Sequence, residues 1–126
     1  MSAPMKFFRE TEPSIFIATG QLVSEQDGKD WVAEYDQLLA RDLPLVVIAH
    51  VEDQPQPGAG KPMILWIKAR KADLSRLVKR TIYVVEDDTQ RAEMQRLLPG
   101  RAKASPYPMA LAASEAEAIR LARESF

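Results

Sequence analysis

Residues 43–63, LPLVVIAHVEDQPQPGAGKPM, form the stretch that decides the fold. They open with a short run of consecutive apolar residues, LVVIA at 45–49, which contains no alternating polar positions. Such a run is typical of a strand buried on both faces at the centre of a parallel sheet. A polar loop rich in proline and glycine follows, and Pro62 is interpreted as the first residue of the next helix. Because ligands of open α/β sheets bind beyond the carboxyl ends of the strands, a functional site is expected here.

Strands and helices alternate on both sides of this stretch. Before it, residues 5–10 and 14–22 are interpreted as two short strands, and a helix should begin near Ser24 or Asp27, where acidic residues suit a helix N-terminus. The apolar face of that helix follows helical spacing and consists of Trp31, Val32, Tyr35, Leu38 and Leu39.

After the central strand, the helix from Pro62 is expected to break or bend near Asp73. Residues 81–85 (TIYVV) then predict a strand, and a helix over 89–98, with Met94, Leu97 and Leu98 turned inward, should stop at Pro99-Gly100. A last strand is expected at 107–112, and Ser114 with Glu117 predicts the cap of a final helix.

The resulting order is β-β-α-β-α-β-α-β-α. Strands that alternate with helices of this length predict an α/β fold with a mostly parallel sheet and right-handed crossovers, to which the N-terminal hairpin adds an antiparallel edge. The 126 residues are expected to form a single domain, 1–126.

Composition excludes several classes of function. The chain has no cysteine, so disulfides, zinc fingers and thiol catalysis are excluded. The net charge of −1 argues against a dedicated nucleic-acid binder. No apolar run approaches the roughly 20 residues that span a bilayer, and the first residues lack the core of a signal peptide, so a cytoplasmic protein is expected.

The charge is unevenly distributed. Residues 1–60 hold 4 basic and 10 acidic side chains, a net of −6, whereas residues 61–80 hold 7 basic and one acidic side chain, a net of +6. The positive charge therefore falls on the helix that follows the central strand.

Three segments resemble one known family. They are TGQL at 19–22 before an acidic helix with Trp31 and Leu38-Leu39, the buried strand 45–51, and KRTIYVVED at 79–87 followed by SEAEA at 114–118. Together they are similar to the SpoIIAA-like branch of the STAS superfamily, a bacterial group named for anti-sigma-factor antagonists. The resemblance implies a SpoIIAA-like fold and a non-enzymatic regulatory or binding module for a protein partner or a small ligand.

The chain departs from that family at the expected phosphorylation site. The resemblance implies a switch that works by phosphorylation of a Ser or Thr at the start of the helix after the central strand. Residues 52–63 contain no Ser, Thr or Tyr, so a module without this phospho-switch is expected.

Gly58, Gly60 and Lys61 invite comparison with a phosphate-binding loop. In the spacing GxxxxGK[ST], however, the first glycine would fall on Pro55 and the hydroxyl residue on Pro62. Nucleotide hydrolysis is therefore not expected. Weak anion binding at this helix N-terminus, aided by Lys61, is one interpretation, and a surface loop that uses glycine and proline for its turns is the other.

His50 and Asp53 follow one predicted strand, and Glu86 and Asp87 follow the next. If the two strands are neighbours, these groups meet at one edge of the sheet, where they could bind a divalent ion or support acid–base chemistry. A small metal-dependent or acid–base enzyme is therefore the alternative function. The competing interpretation is structural, with Asp87 or Asp88 as a helix cap and His50 as a hydrogen-bonding group. No metal or cofactor is predicted.

The basic helix offers a further binding surface. Trp66 beside its lysines could dock an acidic partner, whereas an ordinary amphipathic helix would bury Trp66 and solvate the lysines. A membrane surface is the less favoured partner, and salt-sensitive self-association through the acidic N-terminal half is a further hypothesis. The predicted ligand- or partner-binding residues are thus His50, Asp53, Gly58, Gly60, Lys61, Trp66, Glu86 and Asp87.

Overall fold

A computed structural model of the chain describes residues 5–18, 21–51 and 57–126. These residues form one five-stranded sheet with helices packed on both faces, which confirms the predicted α/β class. In chain order the elements are β1 (Phe8–Glu12), β2 (Ile15–Ala18), α1 (Glu25–Ala40), β3 (Leu45–His50), α2 (Pro57–Ala69), α3 (Lys71–Leu77), β4 (Val78–Val84), α4 (Asp88–Ala104), β5 (Met109–Ala112) and α5 (Glu115–Glu124).

The strand predicted to be central does lie at the centre of the sheet. The strand order is β1-β2-β3-β4-β5, with β1 antiparallel to β2 and the other neighbours parallel. Val47 of β3 pairs with Phe16 on one side and with Thr81 on the other. The antiparallel edge hairpin is confirmed as well. The carboxyl ends of β2 to β5 therefore meet at one edge of the sheet.

Both faces of β3 are buried, which explains its unbroken apolar sequence. Leu45 and Val47 belong to the core under α1, α2 and α3, whereas Val46 and Ile48 belong to the core under α5. Successive side chains of a strand point to opposite faces, so a strand covered on both sides needs apolar residues at every position.

The two helices α1 and α2 make a close contact at Gly28. This residue is buried, and a Cβ built on it would lie 2.2 Å from the carbonyl oxygen of Ala59. Only glycine allows the two backbones to approach this closely. Gly28 thereby sets how α2 lies against α1.

All three helix caps expected from the sequence are present. The Ser24 hydroxyl accepts a hydrogen bond from the Asp27 N–H, and the Asp27 carboxylate accepts one from the Ser24 N–H, which completes a capping box. Asp87 caps α4, and the Ser114 hydroxyl caps α5 by accepting the N–H of Glu117 at 3.2 Å.

Two predicted helix boundaries are wrong. The helix α2 begins at Pro57 rather than Pro62, and α4 runs through Pro99-Gly100 to Ala104 instead of stopping there. Pro57 suits a first turn, where no N–H bond is needed. Pro62 and Pro99 inside their helices each remove one i→i−4 hydrogen bond, which both helices tolerate.

Other boundaries and orientations shift in detail. The break expected near Asp73 lies at Arg70, between α2 and α3, and β4 starts at Val78 rather than at residue 81. Leu97 is 39% exposed instead of facing inward, whereas Met94 and Leu98 are half-buried as expected. The helix α5 packs Ala118 and Ala122 into the core.

Candidate functional site

His50 ends β3 and contacts a residue that the sequence analysis did not select. Its side chain is 21% exposed, and its Nε2 atom lies 3.4 Å from Oε1 of Glu115, the first residue of α5. Arg9 of β1 lies 4.0 Å from the same carboxylate oxygen. Glu115 is 65 residues from His50, and the two meet because β3 and β5 end at the same edge of the sheet, where α5 begins.

Glu86 and Asp87 lie at the same edge and serve the start of α4. Asp87 is the N-cap, and its Oδ1 accepts the N–H of Gln90 at 2.7 Å. Glu86 is exposed, and its carbonyl oxygen and that of Val85 accept hydrogen bonds from Arg91. Asp87 thus has the structural role that the sequence analysis weighed against a catalytic one.

Asp53, the remaining member of the predicted acidic and histidine cluster, lies outside the described residues. Within residues 5–18, 21–51 and 57–126, no three His, Asp or Glu side chains are grouped closely enough to hold a metal ion.

Gly58, Gly60 and Lys61 lie in the first two turns of α2 rather than in a loop. A Cβ on either glycine would meet no atom within 4 Å, so neither glycine is required by a close contact within the described structure. Lys61 is exposed. The anion-binding prediction therefore refers to a helix whose first turn starts at Pro57, five residues earlier than expected.

Trp66 belongs to the core. It is 9% exposed, and its Nε1–H donates to Oδ1 of Asp36 at 2.8 Å. Its ring centroid lies 4.8 Å from that of Tyr35 and 5.8 Å from that of Trp31. Arg70 donates to the same Asp36 oxygen at 3.1 Å. Trp66 thus anchors α2 on α1 and leaves other residues of α2 to face outward.

The outer face of α2 consists of Lys61, Ile64, Leu65 and Lys68, which we call the α2 face. These residues follow the spacing i, i+3, i+4, i+7, which places them along one side of a helix. Ile64 is 58% exposed and Leu65 is 60% exposed, and both lysines are exposed. The apolar pair therefore lies in water between two cations.

A separate cleft lies between α4 and the strands β4 and β5. It has a volume of about 140 Å³ and is lined by Val51, Tyr83, Met94, Leu98, Arg101, Met109 and Leu111. Burial raises the pKa of Tyr83 well above its ordinary value of 10.0, with a further contribution from the nearby Tyr107 hydroxyl. The sequence alone does not indicate this cleft, because its walls come from elements that only the fold brings into contact.

Comparison with known proteins gives no match: no family model, no curated protein and no solved structure is significantly similar to this chain. Among the helices of the described residues, none has the length and apolar character needed to cross a membrane.

Proposed function

We propose that the protein is a non-enzymatic binding module of the STAS type, which docks an acidic protein partner on the α2 face. Its mixed sheet with an antiparallel N-terminal edge agrees with what the SpoIIAA-like resemblance implies. In that family the helix after the central strand is the regulated element, and here that helix is α2.

The observation that carries the proposal is the exposure of Ile64 and Leu65. Two adjacent large aliphatic side chains, each more than half exposed, lie on a helix whose other face is anchored in the core by Trp66. Covering a Leu or Ile side chain is worth about 1.5–3 kcal/mol, which makes such a pair a suitable centre for an interface.

The charges around this pair favour an acidic partner. Lys61, Lys68 and Lys71 are exposed and form no ion pair with any residue that the structure describes. Unpaired lysines at the rim of an apolar patch attract a negatively charged surface and speed its association.

A second copy of the chain is less suited to this face than the net charge of −6 on its residues 1–60 suggests. Between residues 5 and 51, every carboxylate already accepts a hydrogen bond or forms an ion pair within the chain. These acceptors and their partners are Glu10 with Arg41, Glu12 with Arg123, Glu25 with Lys29, Asp27 and Asp30 with Lys6, Glu34 with the Phe7 N–H, Asp36 with Arg70, and Asp42 with Arg76. Residues 5–51 therefore have little unpaired negative charge to offer the lysines.

Docking at this face would not depend on phosphorylation of residues 52–63, since they contain no hydroxyl group. The partner would be bound whenever it is present, and its concentration would set occupancy.

Site-specific photo-cross-linking tests the proposal. p-Benzoylphenylalanine replaces Leu65, or Leu97 of α4 as the matched exposed control, in cells that make the protein. The probe at position 65, and not at 97, should cross-link a distinct acidic protein, and the purified pair should dissociate as salt rises. Cross-links to a second copy, to lipid, or to nothing would refute an acidic protein partner.

One contact favours the alternative acid–base or metal-dependent enzyme. The Nε2 atom of His50 lies 3.4 Å from the Glu115 carboxylate, so an imidazole and a carboxylate do meet at the edge where sites form. Calorimetric titration with Mg²⁺, Mn²⁺ and Zn²⁺ addresses the metal version. Heat that is lost in His50→Ala would favour it, and no heat from any of the three ions would count against it.

A further inference from the structure

The cleft between α4 and the sheet combines apolar walls with two polar groups. Met94 and Leu98 of α4 line one side, and Met109 and Leu111 of β5 line the other. Its volume of about 140 Å³ is close to that of an engineered apolar cavity of roughly 150 Å³ that binds benzene. The space therefore suits an apolar group of about the size of one six-membered ring.

Arg101 supplies a cation at this cleft. Two other arginines of α4, Arg91 and Arg96, form ion pairs with Asp88 and Glu93 one turn away. Arg101 forms no ion pair with any residue in the described ranges, although it lines the cleft. A guanidinium group without a carboxylate partner can donate two parallel N–H···O hydrogen bonds to the carboxylate of a ligand.

Tyr83 lines the same cleft. Burial is the main cause that raises the pKa of its phenol, and Tyr107, which accepts a hydrogen bond from the Tyr83 hydroxyl, contributes further. Tyr83 is therefore neutral and adds no negative charge that would repel an anion at Arg101.

From this geometry we propose that the cleft binds a small apolar carboxylate, with its ring or branched body between Met94, Leu98 and Leu111 and its carboxylate at Arg101. The site is independent of the α2 face, since it lies on α4, β4 and β5. It would add a small-molecule ligand to a protein-binding module.

Methionine-methyl NMR on the full chain tests this site with benzoate as the probe. Met94 and Met109 line the cleft, whereas Met63 lies on α2 and serves as an internal control. Benzoate should shift the methyl signals of Met94 and Met109 in a saturable manner and leave that of Met63 unchanged. Benzyl alcohol, which has the same ring without the charge, should bind at least about tenfold more weakly.

Two variants separate recognition from general charge attraction. Arg101→Gln should weaken benzoate binding by about tenfold or more, because it removes a charged hydrogen bond. Lys103→Gln removes one exposed positive charge two positions further along the same helix and should change the affinity less than about twofold. Equal effects of the two variants, equal binding of benzyl alcohol and benzoate, or no shift of Met94 and Met109 at millimolar benzoate would overturn the proposal.

Discussion

Replacing Gly28 with alanine should destabilise the protein, even though alanine is the better helix former. Gly28 lies inside α1, where its backbone touches that of Ala59 in α2. The alanine methyl group would lie 2.2 Å from the Ala59 carbonyl oxygen and 3.1 Å from its carbonyl carbon. Both are backbone atoms, which cannot rotate away as a side chain could, so the helices would have to separate.

Two opposing terms determine the size of the effect. Glycine to alanine inside a helix stabilises by about 1 kcal/mol. Overpacking a well-packed contact costs about 1–3 kcal/mol, and a fixed backbone partner puts this case at the upper end. The expected net loss is about 1–2 kcal/mol, which corresponds to a fall in Tm of roughly 5 °C for a domain of this size.

Gly100 provides a matched control in α4. A Cβ on Gly100 meets nothing within 4 Å, so Gly100→Ala should gain helix propensity without any clash. Urea unfolding followed by circular dichroism should show Gly28→Ala less stable than the parent chain and Gly100→Ala more stable by up to about 1 kcal/mol. Stabilisation by both variants would refute the close approach of α1 and α2.

Three smaller predictions concern single polar groups. Tyr35→Phe should leave the free energy of unfolding unchanged or raise it by about 1 kcal/mol, because the buried Tyr35 hydroxyl has no hydrogen-bond partner among the described residues. A clear loss of stability in urea melts would reveal such a partner. Asp87→Ala should cost about 1 kcal/mol and Asp87→Asn much less, since either cap oxygen accepts the Gln90 N–H, and equal losses would contradict the capping role. Hydrogen bonds from the Ser14 N–H and then from Arg41 lower the pKa of Glu10 below its ordinary value of 4.5. The stability that ionised Glu10 contributes is therefore complete above pH 4.5 and is lost as the pH falls through the lowered pKa. Glu10→Gln lacks this contribution, so its Tm should fall less in acid than that of the parent chain. Identical Tm profiles against pH for Glu10→Gln and the parent chain would exclude this contribution.

Features that depend on neighbouring residues could be predicted from the sequence. The buried strand β3 is defined by five consecutive apolar residues, and the caps at Ser24 and Asp87 are defined by residues within one turn of the helix start. The mostly parallel sheet with an antiparallel N-terminal edge follows from the sequence of strands and helices along the chain, and the structure shows both. For these features the local signal and the tertiary structure agree.

Features that depend on distant contacts could not be predicted. Burial of Trp66 was one of two interpretations of its helix, but no local pattern indicates that Asp36, 30 residues earlier, accepts its N–H. Nor does any local pattern indicate that His50 meets Glu115 across 65 residues. The helix α4 continues past Pro99 although proline and glycine favour a stop. With Trp66 in the core, Ile64 and Leu65 are the large apolar residues that α2 leaves exposed.

The affinity of the cross-linked partner for two leucine variants tests the central claim most directly. Leu65→Ser removes an apolar side chain from the α2 face, and Leu97→Ser removes one from α4, where no docking is proposed. In calorimetric titrations with the purified partner, Leu65→Ser should weaken binding by about tenfold or more, because a buried leucine contributes about 1.5–3 kcal/mol. Leu97→Ser should leave the Kd unchanged. An equal Kd for the parent chain and Leu65→Ser would contradict docking on the α2 face.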